Sequence, residues 1–399
     1  MFVQFSVRNY RSLSEKVTLS LLAGSDKEHF DDLINIDNKK RLLPVSAIYG
    51  ANSSGKSNVL MALNTMQDMI IGASAQLLKE KKLPYDPFAP GSAAKKHEPT
   101  EFEIIYYYNE VKYAYGFAYD EKQILSETLF HWPKGREALI FSRINDKYEF
   151  RENVNELKTL AGRTPSNKLY LVSSNEWNAA PTESAYKWFV DKLIPYDEQA
   201  TTDFTHSLFF SDSESSSRAR VHSEVLLSDL GITGIFCSED HNNRNFRQID
   251  IQHKYENNGV TDYFMLPLEQ ESRGTQKYFT RIGPWIKALE KGGVLFIDEI
   301  EASLHPMLTR RLVEMMQNPS INSNRAQLIF TTHDVMLLDL SLLRRDQIWF
   351  TDKDPKTLST DLFSLWDFSV RKGENIRKGY LQGRFGAIPF FGGNGKWEE

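Results

Sequence analysis

The sequence predicts an α/β fold in which a mixed sheet surrounds a phosphate-binding loop, joined to an antiparallel β meander and a mainly helical insertion lobe. Three observations carry that expectation. Residues Gly50-Ala51-Asn52-Ser53-Ser54-Gly55-Lys56-Ser57 fit the pattern G-x-x-x-x-G-K-[ST] without a mismatch. From Thr100 to Arg151, short alternating segments rich in Tyr, Phe and Ile follow one another across turn signals. The apolar run Val294-Leu295-Phe296-Ile297 ends in Asp298-Glu299, and the carboxyl ends of buried strands are where ligands bind in open α/β sheets.

Taken in order, residues 2–7 and 16–22 alternate with period two and predict two strands around a turn at 8–15. Arg11 and Ser12 on that turn serve either as punctuation or to lean over a bound nucleotide. The β-branched run at 44–49 leads into the loop as a buried strand, and Val59, Leu60, Leu63, Met66, Met69 and Ile70 lead out of it at helical spacing. Gly50 and Gly55 let the backbone curl so that amides from Asn52, Ser53 and Ser54 onward face an anion at the helix N-terminus. Lys56 is placed for the β- and γ-phosphates of a nucleoside triphosphate, and the Ser57 hydroxyl for Mg²⁺.

Residues 83–99 hold four prolines and predict a loop, after which strands are expected at 100–108, 111–119, 124–130, 138–144 and 147–151. Their aromatic density suits cross-strand packing better than base stacking. The stretch 153–230 is less regular, with helices expected at 154–161, 182–193 and 223–230 and a polar run at 211–217. A hairpin with strands at 246–255 and 261–268 turns through Asn257-Asn258-Gly259. Beyond it, Glu271-Ser272-Arg273-Gly274-Thr275 opens a helix with apolar residues Tyr278, Ile282, Trp285, Ile286 and Leu289, closed by Gly292-Gly293. Asp298 can hold Mg²⁺ through water, and Glu299 can orient or deprotonate an attacking water. A helix from His305-Pro306 leads to a strand at 326–332, at whose end His333 is placed to reach a γ-phosphate. The domain boundaries implied are 1–152, 153–235 for the insertion lobe, and 236–399.

Composition narrows the class. The chain has 399 residues, 41% hydrophobic and 25% charged, which suits one large domain with an insertion, or two domains. A net charge of −5 gives no argument for whole-surface nucleic-acid binding, and the basic clusters at 79–82 and 371–372 suit solvated faces. The single cysteine, Cys237, excludes an internal disulfide and a cysteine zinc site, so a reducing cytoplasmic setting is expected. No apolar run approaches the roughly 20 residues of a membrane span, and Gln4, Arg8 and Asn9 interrupt any signal-peptide core.

The order of the loop at 50–57, Ser272-Arg273-Gly274-Thr275, Asp298-Glu299, Ala302-Ser303-Leu304-His305-Pro306 and His333 resembles the ATP-binding-cassette (ABC) class of ATPases, in the branch of SMC, Rad50 and RecF proteins. There these motifs are Walker A, signature, Walker B, D-loop and switch histidine. Phe5-Ser6-Val7-Arg8-Asn9-Tyr10-Arg11-Ser12, the string 296–306 and the tail Lys378-Gly379-Tyr380-Leu381-Gln382-Gly383-Arg384-Phe385-Gly386-Ala387-Ile388-Pro389 are similar to stand-alone bacterial ATPases of RloA type, related to ATPase subunits of the phage-defence modules PARIS and Septu. The signature departs from the usual Leu-Ser-Gly-Gly-Gln: only Ser272 and Gly274 match. No glutamine is assigned to a Q-loop.

The resemblance implies an ABC-ATPase head using ATP and Mg²⁺, a head-to-tail homodimer or higher homo-oligomer in which Ser272 and Gly274 complete the opposite chain's site, and an effector nuclease as partner. Two other functions remain open: a RecF-like repair ATPase that binds DNA, and a nucleotide-gated scaffold with little turnover. Nucleic-acid binding is neither implied nor excluded. An intrinsic nuclease is disfavoured, since residues 334–399 carry no dense acidic cluster.

Overall fold

The computed structural model describes residues 1–37, 40–72, 82–90, 97–151, 154–195, 198–210, 216–228, 231–240, 243–370 and 373–388. The expectations at 79–81, 211–215 and 371–372, and the last residue of the tail motif, lie outside them. The chain forms two compact units, Met1–Leu193 with Ile329–Glu399, and Ile194–Leu328. This division differs from the boundaries drawn from the sequence at 152 and 235, because the first helices of the expected lobe belong to the first unit.

In the first unit, β1 (Phe2–Arg8) pairs antiparallel with β2 (Val17–Ser20), and the short β3 (Ile34–Asn35) pairs with β4 (Arg41–Leu42). Strand β5 (Val45–Gly50) is buried at every position and feeds α1 (Lys56–Ile71), whose apolar face includes Val59, Leu63, Met66 and Ile70. The meander follows as β6 (Thr100–Tyr108), β7 (Val111–Tyr119), β8 (Ile124–Trp132), β9 (Ala138–Ile144) and β10 (Lys147–Phe150), antiparallel throughout and continued by β1 and β2 in the order β10-β9-β8-β7-β6-β1-β2. Asn109 and Glu110, both at positive φ (48° and 64°), make the β6–β7 connection, as a two-residue turn matched to strand twist requires.

Helices α2 (Val154–Ala161), α3 (Tyr170–Glu176) and α4 (Ala180–Asp191) cover this sheet. The aromatic residues of the meander are core. Tyr106 stacks on Trp188 at 4.2 Å and on Tyr113 at 5.5 Å, and its hydroxyl donates to the Ala185 carbonyl at 2.9 Å. Helix α3, absent from the sequence-based expectation, is anchored by a carboxylate. Glu127 of β8 accepts from the Tyr170 and Leu171 amides at 2.6 and 2.9 Å and from the Tyr115 hydroxyl at 2.8 Å, with Arg143 at 3.8 Å. Burial of Glu127 is the main influence on its carboxyl and raises its pKa above the ordinary range.

The chain crosses into the second unit through β11 (Leu193–Pro195), then forms α5 (Glu198–Phe210), α6 (Ser216–Leu226), the antiparallel β12 (Ile232–Asp240), β13 (Asn243–Asn257) and β14 (Val260–Pro267), and the long α7 (Arg273–Lys291). Strand β12 was not expected, and α6 begins at Ser216, not residue 223. The β13–β14 hairpin turns at Asn258 and Gly259, both at positive φ. Helix α7 contains Pro284, which cannot donate to the Thr280 carbonyl; the Thr205 hydroxyl of α5 donates to it instead, at 3.0 Å. Then come β15 (Val294–Ile297), α8 (Pro306–Gln317) and β16 (Gln327–Thr331), in which the unit boundary falls. Trp285 Nε1 donates to the Leu312 carbonyl at 2.9 Å and ties α7 to α8.

Back in the first unit, β17 (Ile348–Lys353) runs parallel to β5 with Phe350 opposite Tyr49, and β18 (Thr360–Ser364) runs antiparallel to β17. The short helix α9 (Ile376–Leu381) closes the described chain. No helix among the described residues is long and apolar enough to cross a membrane.

Candidate functional site

In the first unit the loop at 50–57 is a tight cradle between β5 and α1. Ser53 and Gly55 sit at positive φ, 63° and 105°, so peptide groups there turn inward, and Gly55 is the residue before the helix. A side chain has no place at either glycine. A Cβ on Gly50 would lie 2.4 Å from Thr351 Oγ1 and 2.5 Å from Ser54 Oγ, and one on Gly55 would lie 2.3 Å from Thr360 Oγ1 and 2.8 Å from Ser12 Oγ.

Lys56 is buried, and its ammonium donates to the Gly50 and Ala51 carbonyls, each at 3.0 Å, which holds it across the loop. Asn52 and Ser53 are exposed, Ser54 is buried, and Ser57 is half-buried on the first turn of α1. The loop is thus closed to a side chain at both glycines, with one ammonium lying across it, as the phosphate-loop motif requires.

Ser12 is brought to this loop. Its Oγ accepts from Asn58 Nδ2 at 2.7 Å and lies 2.8 Å from Thr360 Oγ1, and its carbonyl accepts from the Thr360 amide at 2.8 Å. Arg11 lies beside α1, paired with Asp86 at 2.8 Å and in contact with Met61 Sδ at 3.0 Å. Thr351 and Thr360, which sequence reasoning missed, complete the underside of the loop: Thr351 Oγ1 meets Ser54 Oγ at 2.6 Å, and Thr360 Oγ1 is 2.7 Å from the Ser54 carbonyl. Both threonines lie about 300 positions from the loop, and no local pattern marks them. His333 is exposed just past β16, and the preceding Thr332 amide donates to the Ile48 carbonyl of β5 at 3.0 Å.

The remaining site residues lie in the second unit. Ser272 is the N-cap of α7, its Oγ accepting from the Thr275 amide at 3.1 Å. Gly274 lies beside Ser303, since a Cβ there would be 3.7 Å from Ser272 Oγ and 3.8 Å from the Ser303 carbonyl. Asp298 and Glu299 are exposed at the end of β15, and Glu299 holds a left-handed φ of 49°, a conformation that costs a residue with a side chain of order 1–3 kcal/mol. Arg281 of α7, 3% exposed, donates to the Ile300 carbonyl and, at 3.5 Å, to the Glu299 carbonyl, a support that the sequence did not announce. Among the described residues no group of three His, Cys, Asp or Glu could hold a metal. A nucleotide-bound Mg²⁺ needs no such group, because phosphate oxygens and waters supply most of its ligands.

A family model described as "AAA domain, putative AbiEii toxin, Type IV TA system" matches residues 45–339. The chain belongs to this family. The AAA domain therefore takes in the phosphate loop, Ser272, Gly274, Asp298, Glu299 and His333, and makes the protein a P-loop ATPase by class; Arg11, Ser12, β17, β18 and α9 lie outside the match. No curated protein matches the chain. Among solved structures, it is similar to the SMC head domain from Thermotoga maritima, with 12% identity, TM-score 0.45 and coverage of 92% of this chain and 99% of that one. It is also similar to an Smc head bound to the C-winged helix domain of ScpA, with 14% identity, TM-score 0.41 and coverage of 93% and 98%. A third is an Smc head bound to the C-terminal domain of ScpA from Pyrococcus furiosus, with 14% identity, TM-score 0.42 and coverage of 95% and 99%.

Proposed function

We propose that this AAA-domain protein is an ABC-type switch that binds ATP and Mg²⁺, closes two chains head to tail around nucleotide, and separates them on hydrolysis. The observation that carries the reading is the cradle at 50–57, in which Lys56 spans a loop whose glycines admit no side chain. In this reading the loop amides and Lys56 bind the β- and γ-phosphates. Ser57 and Asp298 hold Mg²⁺, Glu299 takes a proton from the attacking water, and His333 contacts the γ-phosphate. Ser272 and Gly274 act on the opposite chain's nucleotide. Arg11 and Ser12 flank the site, Ser12 beneath the loop and Arg11 along α1. The setting is a cytoplasmic antiviral defence module in which the switch passes its state to an associated effector nuclease, a reading supported by the toxin and Type IV TA system named in the family description.

The test is Glu299→Gln. The amide keeps the size of the side chain but cannot accept the proton, and general-base terms are worth about 10²–10⁴ in rate. The variant should bind ATP, release phosphate at least about 100-fold more slowly, and accumulate as an ATP-dependent assembly in size-exclusion chromatography with light scattering. Hydrolysis at the wild-type rate would remove Asp298-Glu299 from the mechanism.

A further inference from the structure

The tail motif at 378–389 is unexplained by the nucleotide chemistry, yet its helix touches both halves of the first unit's share of the site. Arg377 of α9 donates through Nε to the Val335 carbonyl at 2.8 Å and through Nη2 to the Met336 carbonyl at 3.2 Å. Those carbonyls belong to the 3₁₀ turn Val335–Leu337, which starts two residues after His333 and is capped by Asp334, whose carboxylate accepts from the Met336 amide at 2.8 Å. The Val335 carbonyl also accepts from the Leu338 amide at 3.2 Å, closing the turn, and a guanidinium is a planar fork suited to holding two adjacent carbonyls at once.

Three residues further on, α9 packs against the strands next to the phosphate loop. The Tyr380 ring stacks on Phe350 at 5.5 Å and meets Tyr49 edge-on at 6.1 Å, and Phe385 also stacks on Phe350, at 5.8 Å. Tyr49 is the residue before Gly50, and Phe350 is its partner in the parallel pairing of β5 with β17. Asn375 caps α9 by accepting from the Lys378 amide at 2.9 Å, and the Tyr380 hydroxyl donates to the Ala387 carbonyl at 3.1 Å, so the helix is held at both ends.

We propose that α9 is a strut that sets the distance between the histidine turn and the phosphate loop, and that Arg377 is the positioning residue through which it acts on His333. The inference rests on the reading of His333 as the γ-phosphate contact. Arg377 touches no nucleotide in this scheme; it fixes the backbone that carries the histidine. Losing it lets the turn move while the cradle stays intact, so turnover falls and nucleotide affinity does not. Misplacement by about 1 Å can cost on the order of 100-fold in rate.

The test is a double-mutant cycle on the full chain, with phosphate release for kcat and KM, a direct nucleotide titration, and a thermal melt. Arg377→Ala should lower kcat at least about tenfold with nucleotide affinity within about twofold, and should add nothing once His333→Ala is present. Arg377→Lys, which can still reach one carbonyl, should recover part of the rate. Arg384→Ala is the control for loosening of the same segment: its side chain binds Glu374 and the Ser369 carbonyl, so kcat should stay near wild type.

Wild-type turnover in Arg377→Ala, or an undiminished further loss on top of His333→Ala, would overturn the strut. If Arg377→Ala does not fold, the same cycle run with Arg377→Lys decides between these outcomes. If His333→Ala turns over normally while Glu299→Gln is slow, the histidine reading and the strut fall together and the ATPase reading stands; if both are normal, the site itself is misassigned.

Discussion

At Gly55 the phosphate loop leaves no room for one more carbon atom. The residue combines φ 105° with Thr360 and Ser12 hydroxyls where a Cβ would go, so Gly55→Ala must displace β18 or the 8–15 turn, or change the loop's path. Backbone strain of about 1–3 kcal/mol is expected before any clash is counted. Nucleotide affinity should fall at least about tenfold, since 1.4 kcal/mol is a factor of ten, while the far-UV circular dichroism of the chain stays unchanged. A titration showing wild-type affinity would mean that phosphate is not bound by this cradle. The glycines, Lys56 and Ser57 were legible because the motif is local. Thr351, Thr360 and Arg281 were not, because each acts from a distant element and their residue types carry no signal without the fold.

Among the elements, the meander was read from sequence nearly strand for strand, since alternation, aromatic residues and turn pairs such as Asn109-Glu110 all point the same way. Helix α3 escaped because seven residues give too short a period to see, and because what fixes it is Glu127, more than 40 positions earlier, accepting from its first amides. The Arg143 guanidinium beside that carboxylate also donates to the Asn145, Lys168 and Ser166 carbonyls and is 1% exposed.

Replacing it as Arg143→Met leaves a buried carboxylate without its cation, which typically costs about 3–5 kcal/mol. The sign of the pH effect follows from the raised pKa of Glu127: a carboxyl raised in the folded state favours folding below its unfolded pKa and loses that contribution as pH rises through the folded value. Without Arg143 the pKa rises further, so the deficit of the variant relative to wild type should be largest at neutral pH and shrink on acidification. Denaturant midpoints across that range measure it, and a pH-independent deficit would assign the loss to packing and the three carbonyl hydrogen bonds, not to the charge of Glu127.

Across the whole molecule, the proposed site residues divide between two units: the phosphate loop and His333 in one, Ser272, Gly274, Asp298 and Glu299 in the other. If Ser272 and Gly274 serve the opposite chain, Ser272→Arg and Lys56→Ala fail in different places. Each protein alone should be inactive, Lys56→Ala for want of nucleotide binding. An equimolar mixture should regain turnover, because one of the two composite sites in a mixed dimer carries an intact loop and an intact signature. Complete inactivity of the mixture, with dimers still forming, would rule out the exchange of segments.

The pairing of β5 with β17 also dictates when the loop can become functional during synthesis. Ser54 and Thr351 are 297 positions apart, so at about 5–20 residues per second the ribosome needs roughly 15–60 s to make the second after the first. Throughout that interval the nascent chain holds a strand that the folded protein buries at every position and a phosphate loop without its underside. A protein that waits that long for a neighbouring strand is a natural client for chaperones that shield apolar segments, and truncation before β17 should yield an aggregation-prone chain, not a weaker ATPase.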